Sequence, residues 1–156
     1  MSHRYGYFAA AWAAVFACVH FFWALGGDVG LAASAGERLA AERPGWFVAG
    51  GLWGVGFACV AGGLLGLGLS RRDGCGRSLG LLGWAAAALL LVRGIGVELL
   101  IILGAPEISA EQRFWTLVLW NPWFILGGVL FGLAVVSRRT PAQSGRTATP
   151  GSGAGS

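Results

Sequence analysis

The chain has no lysine; its 11 cationic side chains are all arginine, set against seven carboxylates. Charged residues amount to 12% of the sequence, where a soluble domain carries roughly 25%. That shortage removes the polar coat a water-exposed surface needs. Cysteine is scarce as well: Cys18, Cys59 and Cys75 form no CxxC pair and show no metal-ligand spacing, which argues against a thiol redox centre or a zinc site. A Cys18–Cys59 bridge between helices stays open, and Cys75 falls in a loop expected on the reducing side of a membrane. With only two histidines, His3 and His20, no cluster of nitrogen ligands is available; a metal site is not expected, a haem or metal ligand role for His20 is a minor alternative, and the cofactor is left unknown.

What the chain does have is apolar length. It is 56% hydrophobic with a mean hydropathy of +0.68, far more than a core of this size can bury. Four apolar segments stand out, at 5–26, 47–69, 79–103 and 114–136, and about 20 helical residues cross a hydrocarbon core. The expectation is an all-α fold: a four-transmembrane-helix bundle over 1–139 embedded in a lipid bilayer, with short connections that make consecutive helices antiparallel neighbours. The first segment is too long for a secretory leader, despite Ala33-Ser34-Ala35 resembling a cleavage site. From Thr140 to Ser156 the sequence is Ser, Gly, Thr, Ala and Pro-rich, which predicts a disordered tail.

Charge sets the orientation. The N-terminal tail, the second connection and the C-terminal tail carry Arg4, Arg71, Arg72, Arg77, Arg138, Arg139 and Arg146 against Asp73 alone. The first and third connections carry Arg38, Arg43 and Arg113 against Asp28, Glu37, Glu42, Glu107 and Glu111. The positive-inside rule then places both termini in the cytoplasm. Because the net charge of +4 is spent at helix ends, no nucleic-acid partner is expected.

In lipid, helices associate where small residues let backbones approach. Gly50, Gly54, Ala58, Gly62 and Gly66 recur at four-residue spacing, so the second helix is expected at the centre of the bundle. Similar small residues on the other helices favour a compact monomer, although they could also build a homodimer. In the fourth segment Asn121-Pro122 pairs a good N-cap with a residue that lacks an N–H. A helix starting there would be only about 22 Å long, so a single helix from Phe114, kinked at Pro122, is the preferred reading.

Ionisable groups within spans point to a site or a pathway by default. Arg93 and Glu98 interrupt the third segment, separated by about 7.5 Å of rise and about 140° of rotation. His20 in the first segment, Trp53 in the second and Asn121 in the fourth lie at similar depth, toward the external side. Trp12, Trp23, Trp46, Trp115, Trp120 and Trp123 read mostly as interface anchors; alternatively Trp23, Trp120 and Trp123 join these groups to line a pocket for a hydrophobic small molecule, flat or isoprenoid.

His20, Glu98 and Arg93 are the candidate catalytic set: His20 or Glu98 to move a proton, Arg93 to stabilise an anion. Three functions stay open. One is a structural or accessory role in which Arg93 and Glu98 pair to specify packing, and another is an enzyme acting on a lipid-soluble molecule by acid–base chemistry. The third is a small-molecule or proton transport component.

Three blocks carry a resemblance: His20-Phe21-Phe22-Trp23-Ala24-Leu25-Gly26-Gly27, Arg93-Gly94-Ile95-Gly96-Val97-Glu98, and Trp120-Asn121-Pro122-Trp123-Phe124 with Gly127-Gly128. They resemble a bacterial family of small four-span integral membrane proteins, domain-of-unknown-function family 3995. The resemblance implies the same four-helix fold, a bacterial cell membrane as the location, and no established activity.

Overall fold

A computed structural model of the chain describes residues 4–71, 77–104 and 108–139. The tail from Thr140 onward, His3 and Cys75 lie outside them. Among the described residues four helices are long and apolar enough to cross a membrane, Arg4–Ala24, Phe47–Ser70, Arg77–Ile102 and Ala110–Arg138, and the chain is an all-α, multi-pass membrane protein.

Helix α1 (Arg4–Ala24) stops at a pair of glycines. Gly26 takes a φ of 108°, and the N–H groups of Gly26 and Gly27 return to the carbonyls of Trp23 and Phe22 at 3.1 and 2.9 Å. This is a Schellman cap, which needs a left-handed residue at that point. The first connection then folds into two short helices, α2 (Leu31–Ala35) and α3 (Glu37–Glu42). The second span begins as a π-helix over Phe47–Gly54 and continues as α4 (Val55–Ser70); the third is α5 (Arg77–Ile102). The fourth runs through α6 (Ala110–Trp115), a π-helical turn over Thr116–Trp120 and α7 (Asn121–Arg139). Helices α2, α3 and α6 lie at one end of the bundle, the distal end, and the α4–α5 hairpin at the other, the proximal end.

The irregularity expected at Asn121-Pro122 is absorbed without a break. Proline frees a carbonyl one turn back and its ring crowds the preceding turn. The wider π turn makes the room, with the Asn121 N–H bonding the Thr116 carbonyl five residues earlier. The span is therefore continuous from Ala110, with neither a separate element before Pro122 nor a start at Phe114.

The second span is not the centre. In their most apolar stretches 39% of α1 is buried, against 22% of the second span, 17% of α5 and 33% of the fourth. Helix α1 packs along α4 on one side and α7 on the other, and α7 in turn packs on α5. Ala9, Ala13 and Ala17 are the reason: all three are buried and let both neighbours approach closely.

The second span uses only the proximal half of its glycine stripe. A Cβ on Gly66 would lie 2.8 Å from both the Ala10 nitrogen and the Gly6 carbonyl oxygen, whereas one on Gly50 would meet nothing within 4 Å. The second and third spans touch near their hairpin, where Cβ atoms on Gly68 and Gly83 would lie 3.0 Å from Leu79 and 3.1 Å from Leu69. Toward the distal end the two spans splay apart, leaving a gap between Val55, Ala58 and Gly62 on one and Ala86, Leu89 and Arg93 on the other.

Gly66→Leu should destabilise the bundle by about 1–3 kcal/mol through overpacking against backbone, while Gly50→Leu should change stability by less than about 0.5 kcal/mol. Thermal unfolding of both variants in the same detergent checks the contrast. Equal effects would mean that α1 and α4 are not held at this contact.

Candidate functional site

Two cavities occupy the splayed region. The distal chamber, about 200 Å³, is walled by Phe16, His20 and Trp23 of α1, Phe47 and Leu52 of the second span, Leu31 and Ser34 of α2, and Thr116 and Trp120 of the fourth. The cleft below it, about 450 Å³, runs between Val55, Ala58 and Gly62 on one side and Ala86, Leu89 and Arg93 on the other. Trp12, Phe124 and Phe131 form its floor. Ala58, Leu89 and Arg93 are exposed, so the cleft opens sideways between the second and third spans. Phe16, Val55, Arg93 and Phe124 line both cavities.

Aromatic packing fixes the walls. Phe16 meets His20 edge-on at 4.6 Å and Phe124 at 5.4 Å, His20 meets Trp23 at 5.3 Å, and Trp23 meets Trp120 at 5.8 Å. Edge-to-face pairs of this kind hold rings in defined orientations. The Nδ1 of His20 is 2.9 Å from the Phe16 carbonyl. Because that carbonyl can only accept, Nδ1 carries the proton and Nε2 is left without a partner among the described residues.

Arg93 stands where the cavities meet. Its guanidinium carbon lies 4.8 Å from the centre of the Phe124 ring, a cation–π contact. It forms no ion pair and no hydrogen bond with another described residue. Glu98 is half-buried, lines neither cavity and does not pair with Arg93.

The chamber is roofed by the first connection. Leu31 is completely buried against Trp23, Phe47 and Leu52. The Trp23 indole N–H donates to the Val29 carbonyl at 2.8 Å. Arg43 reaches back across the connection to donate to the Trp23 carbonyl at 2.9 Å and to the Gly27 carbonyl. Arg43 itself adopts a left-handed backbone with φ 43°, a conformation unfavourable for a side chain larger than glycine. These bonds hold it there and satisfy carbonyls at the end of α1.

Of the residues singled out from sequence, the structure gathers His20, Arg93, Trp23 and Trp120 on the chamber wall. It separates the others. Trp53 stacks on Phe57 at 5.9 Å and meets Phe21 at 5.6 Å, away from both cavities. Trp123 backs the cleft by stacking on Trp12 at 5.9 Å, and the Trp12 indole N–H donates to the Trp123 carbonyl at 3.0 Å. Trp12 is thereby a buried floor residue and not an interface anchor. Asn121 is fully buried beneath Gly94 of α5, and its amide has no hydrogen-bond partner among the described residues; nor do the indole nitrogens of Trp120 and Trp123. Cys18 and Cys59 are free thiols, so no bridge joins α1 to α4.

Phe16, Phe124, Ser34 and Thr116 are site residues that sequence reasoning misses. Phe16 had one usable signal, its position one helical turn before His20.

Four helices long and apolar enough to cross a membrane define the class, a small helical membrane protein. The family described as "Protein of unknown function (DUF3995)" matches over residues 13–131, and the chain belongs to it. No curated protein and no solved structure matches the chain.

Two outcomes follow from this geometry. Arg43→Ala should lower stability by about 1–3 kcal/mol, the range for losing charge-assisted hydrogen bonds, and should expose the 28–45 segment to limited proteolysis; unchanged cleavage would show that the roof is held by other contacts. Asn121→Leu should raise thermal stability in detergent, since a buried amide without a partner costs about 1–3 kcal/mol.

Proposed function

We propose that the protein binds an amphiphilic small molecule taken from the surrounding bilayer, with the apolar part in the cleft and the polar part in the distal chamber. The observation that carries this is the meeting of an apolar, laterally open cleft and a chamber bearing His20, Ser34, Thr116 and Arg93 at one shared set of residues. The cleft, at about 450 Å³, lies within the range of about 300–1,000 Å³ typical of small-molecule sites, and the chamber adds about 200 Å³ at its polar end.

Charge distribution supports an orientation with both termini in the cytoplasm of a bacterial cell membrane, which turns the chamber away from the cytoplasm. Glu98 lines neither cavity, so of the two proton carriers the acid–base scheme allowed only His20 stands at the site, and binding is the simpler reading. A path across the membrane has little support, since the buried core toward the proximal end is mainly Ala9, Ala13, Leu69, Ala134 and Val135. The role this fits is accessory: holding or presenting a membrane-borne molecule.

Ala58 is exposed on the cleft rim, so Ala58→Phe should obstruct the cleft without entering the α1 interface. Quenching of tryptophan fluorescence by brominated-chain amphiphiles should saturate in the wild type, through Trp12 at the cleft floor, and fall by about tenfold in affinity in Ala58→Phe. Gly50→Leu, outside both cavities, should behave as wild type. Non-saturating quenching that is the same in all three proteins would refute an internal site.

A further inference from the structure

We propose that the ligand is a single-chain amphiphile with an oxyanion head, a carboxylate or a phosphomonoester, and that Arg93 is the residue that selects the head. This rests on the two cavities forming one site and goes further by naming the chemistry that fills it. Three observations converge on it.

The first is charge. Arg93 lies about 14 Å of helical rise below Ile102, close to the middle of a hydrocarbon core whose half-thickness is about 15 Å. An ionised side chain there costs several kcal/mol unless it is paired or hydrated. The usual solution is a carboxylate on a neighbouring helix. Among the described residues Arg93 has none, and Glu98, the one acid on its own helix, does not reach it. The face of Phe124 offers attraction to the cation but accepts no N–H in the plane of the guanidinium, whose five donors form a fork suited to an oxyanion.

The second is position. Arg93 lines both cavities, so a head bound to it has the hydroxyls of Ser34 and Thr116 and the ring of His20 on the chamber side. Its tail then points down the cleft, along Val55, Ala58 and Gly62. From Phe47 to Gly62 the combined site extends about 22 Å along the second span.

The third is capacity. The cleft holds about 450 Å³, some three times a cavity of ~150 Å³ that accommodates one benzene. That is room for one hydrocarbon chain. The lateral opening lets the end of a longer chain pass between the second and third spans into the bilayer.

The test is a matched series of equal chain length, a fatty acid, an alkyl phosphate and a fatty alcohol. Each is titrated in detergent micelles against wild type, Arg93→Gln and Ala58→Phe. The acid and the phosphate should bind wild type about ten- to a hundredfold more tightly than the alcohol. That preference should vanish in Arg93→Gln and all binding should weaken in Ala58→Phe. The acid-to-phosphate ratio then distinguishes the two oxyanion sources. If the alcohol binds wild type as well as the acid does, and Ala58→Phe weakens both, the oxyanion inference is overturned while the amphiphile site stands. Failure of all three to bind wild type overturns both. The wild-type series alone decides the question if Arg93→Gln does not fold.

Discussion

The architecture depends on how closely α1 can approach its neighbours. In a bilayer no hydrophobic force drives helices together, and contact forms where small side chains permit dispersion contacts between backbones. Gly66 lies against Gly6 and Ala10, and the alanines of α1 are buried, so α1 and α4 are drawn together at the proximal end. Gly94 and Gly128 do the same for α5 and α7: Cβ atoms there would lie 3.1 Å from the Asn121 carbonyl and 3.0 Å from the Ala87 carbonyl. The result is two tight helix pairs joined through α1 and α7. Among the described residues nothing comparable draws the distal half of the second span to α5, and the cavity is the space left between the pairs.

Backbone chemistry reinforces that division. Helix α4 is regular where it packs on α1, whereas π-helical geometry appears in the distal halves of the second and fourth spans, over Phe47–Gly54 and Thr116–Trp120. Both segments border the chamber, one through Phe47 and Leu52 and the other through Thr116 and Trp120. A π turn keeps backbone hydrogen bonds satisfied within the segment, as lipid requires, while widening the helix and turning side chains off the regular spacing. Pro122 accounts for the second of these. The first contains no proline, and its glycines at 50, 51 and 54 supply a backbone that widens with few side chains to displace.

Much of the fold is legible in the residues because the signal is additive: four long apolar runs leave little alternative to four spanning helices. The two ionisable members of the site, His20 and Arg93, are legible for the opposite reason, since one arginine or histidine in an apolar run is conspicuous whatever it touches. Phe16, Phe131 and Ala58 are not, because an apolar residue in an apolar run looks the same at a cleft wall as at a lipid face. The glycine stripe shows the limit of periodicity. Spacing identifies a smooth face but does not say how much of it a partner covers, and Gly50 and Gly66 differ only in what lies opposite. Arg43, read in sequence as a loop charge, becomes a strut only once the first connection folds back on the end of α1.

That strut bears on how a ligand would arrive. The roof of the chamber is fixed at three points: by Leu31 in the core beside Trp23, by the Trp23 indole on Val29, and by Arg43 on the end of α1. Opening the chamber from the distal surface would break charge-assisted hydrogen bonds and expose a buried leucine. Entry through the cleft requires only that lipid chains leave a gap already lined by Ala58 and Leu89, neither of which packs across it. For the proposed ligand the lateral route would therefore have the smaller barrier, and a molecule reaching Arg93 by that route would first have to be soluble in the bilayer. On the proposed reading, the roof and the cleft would act together, excluding free aqueous solutes while admitting a chain that brings its polar head with it.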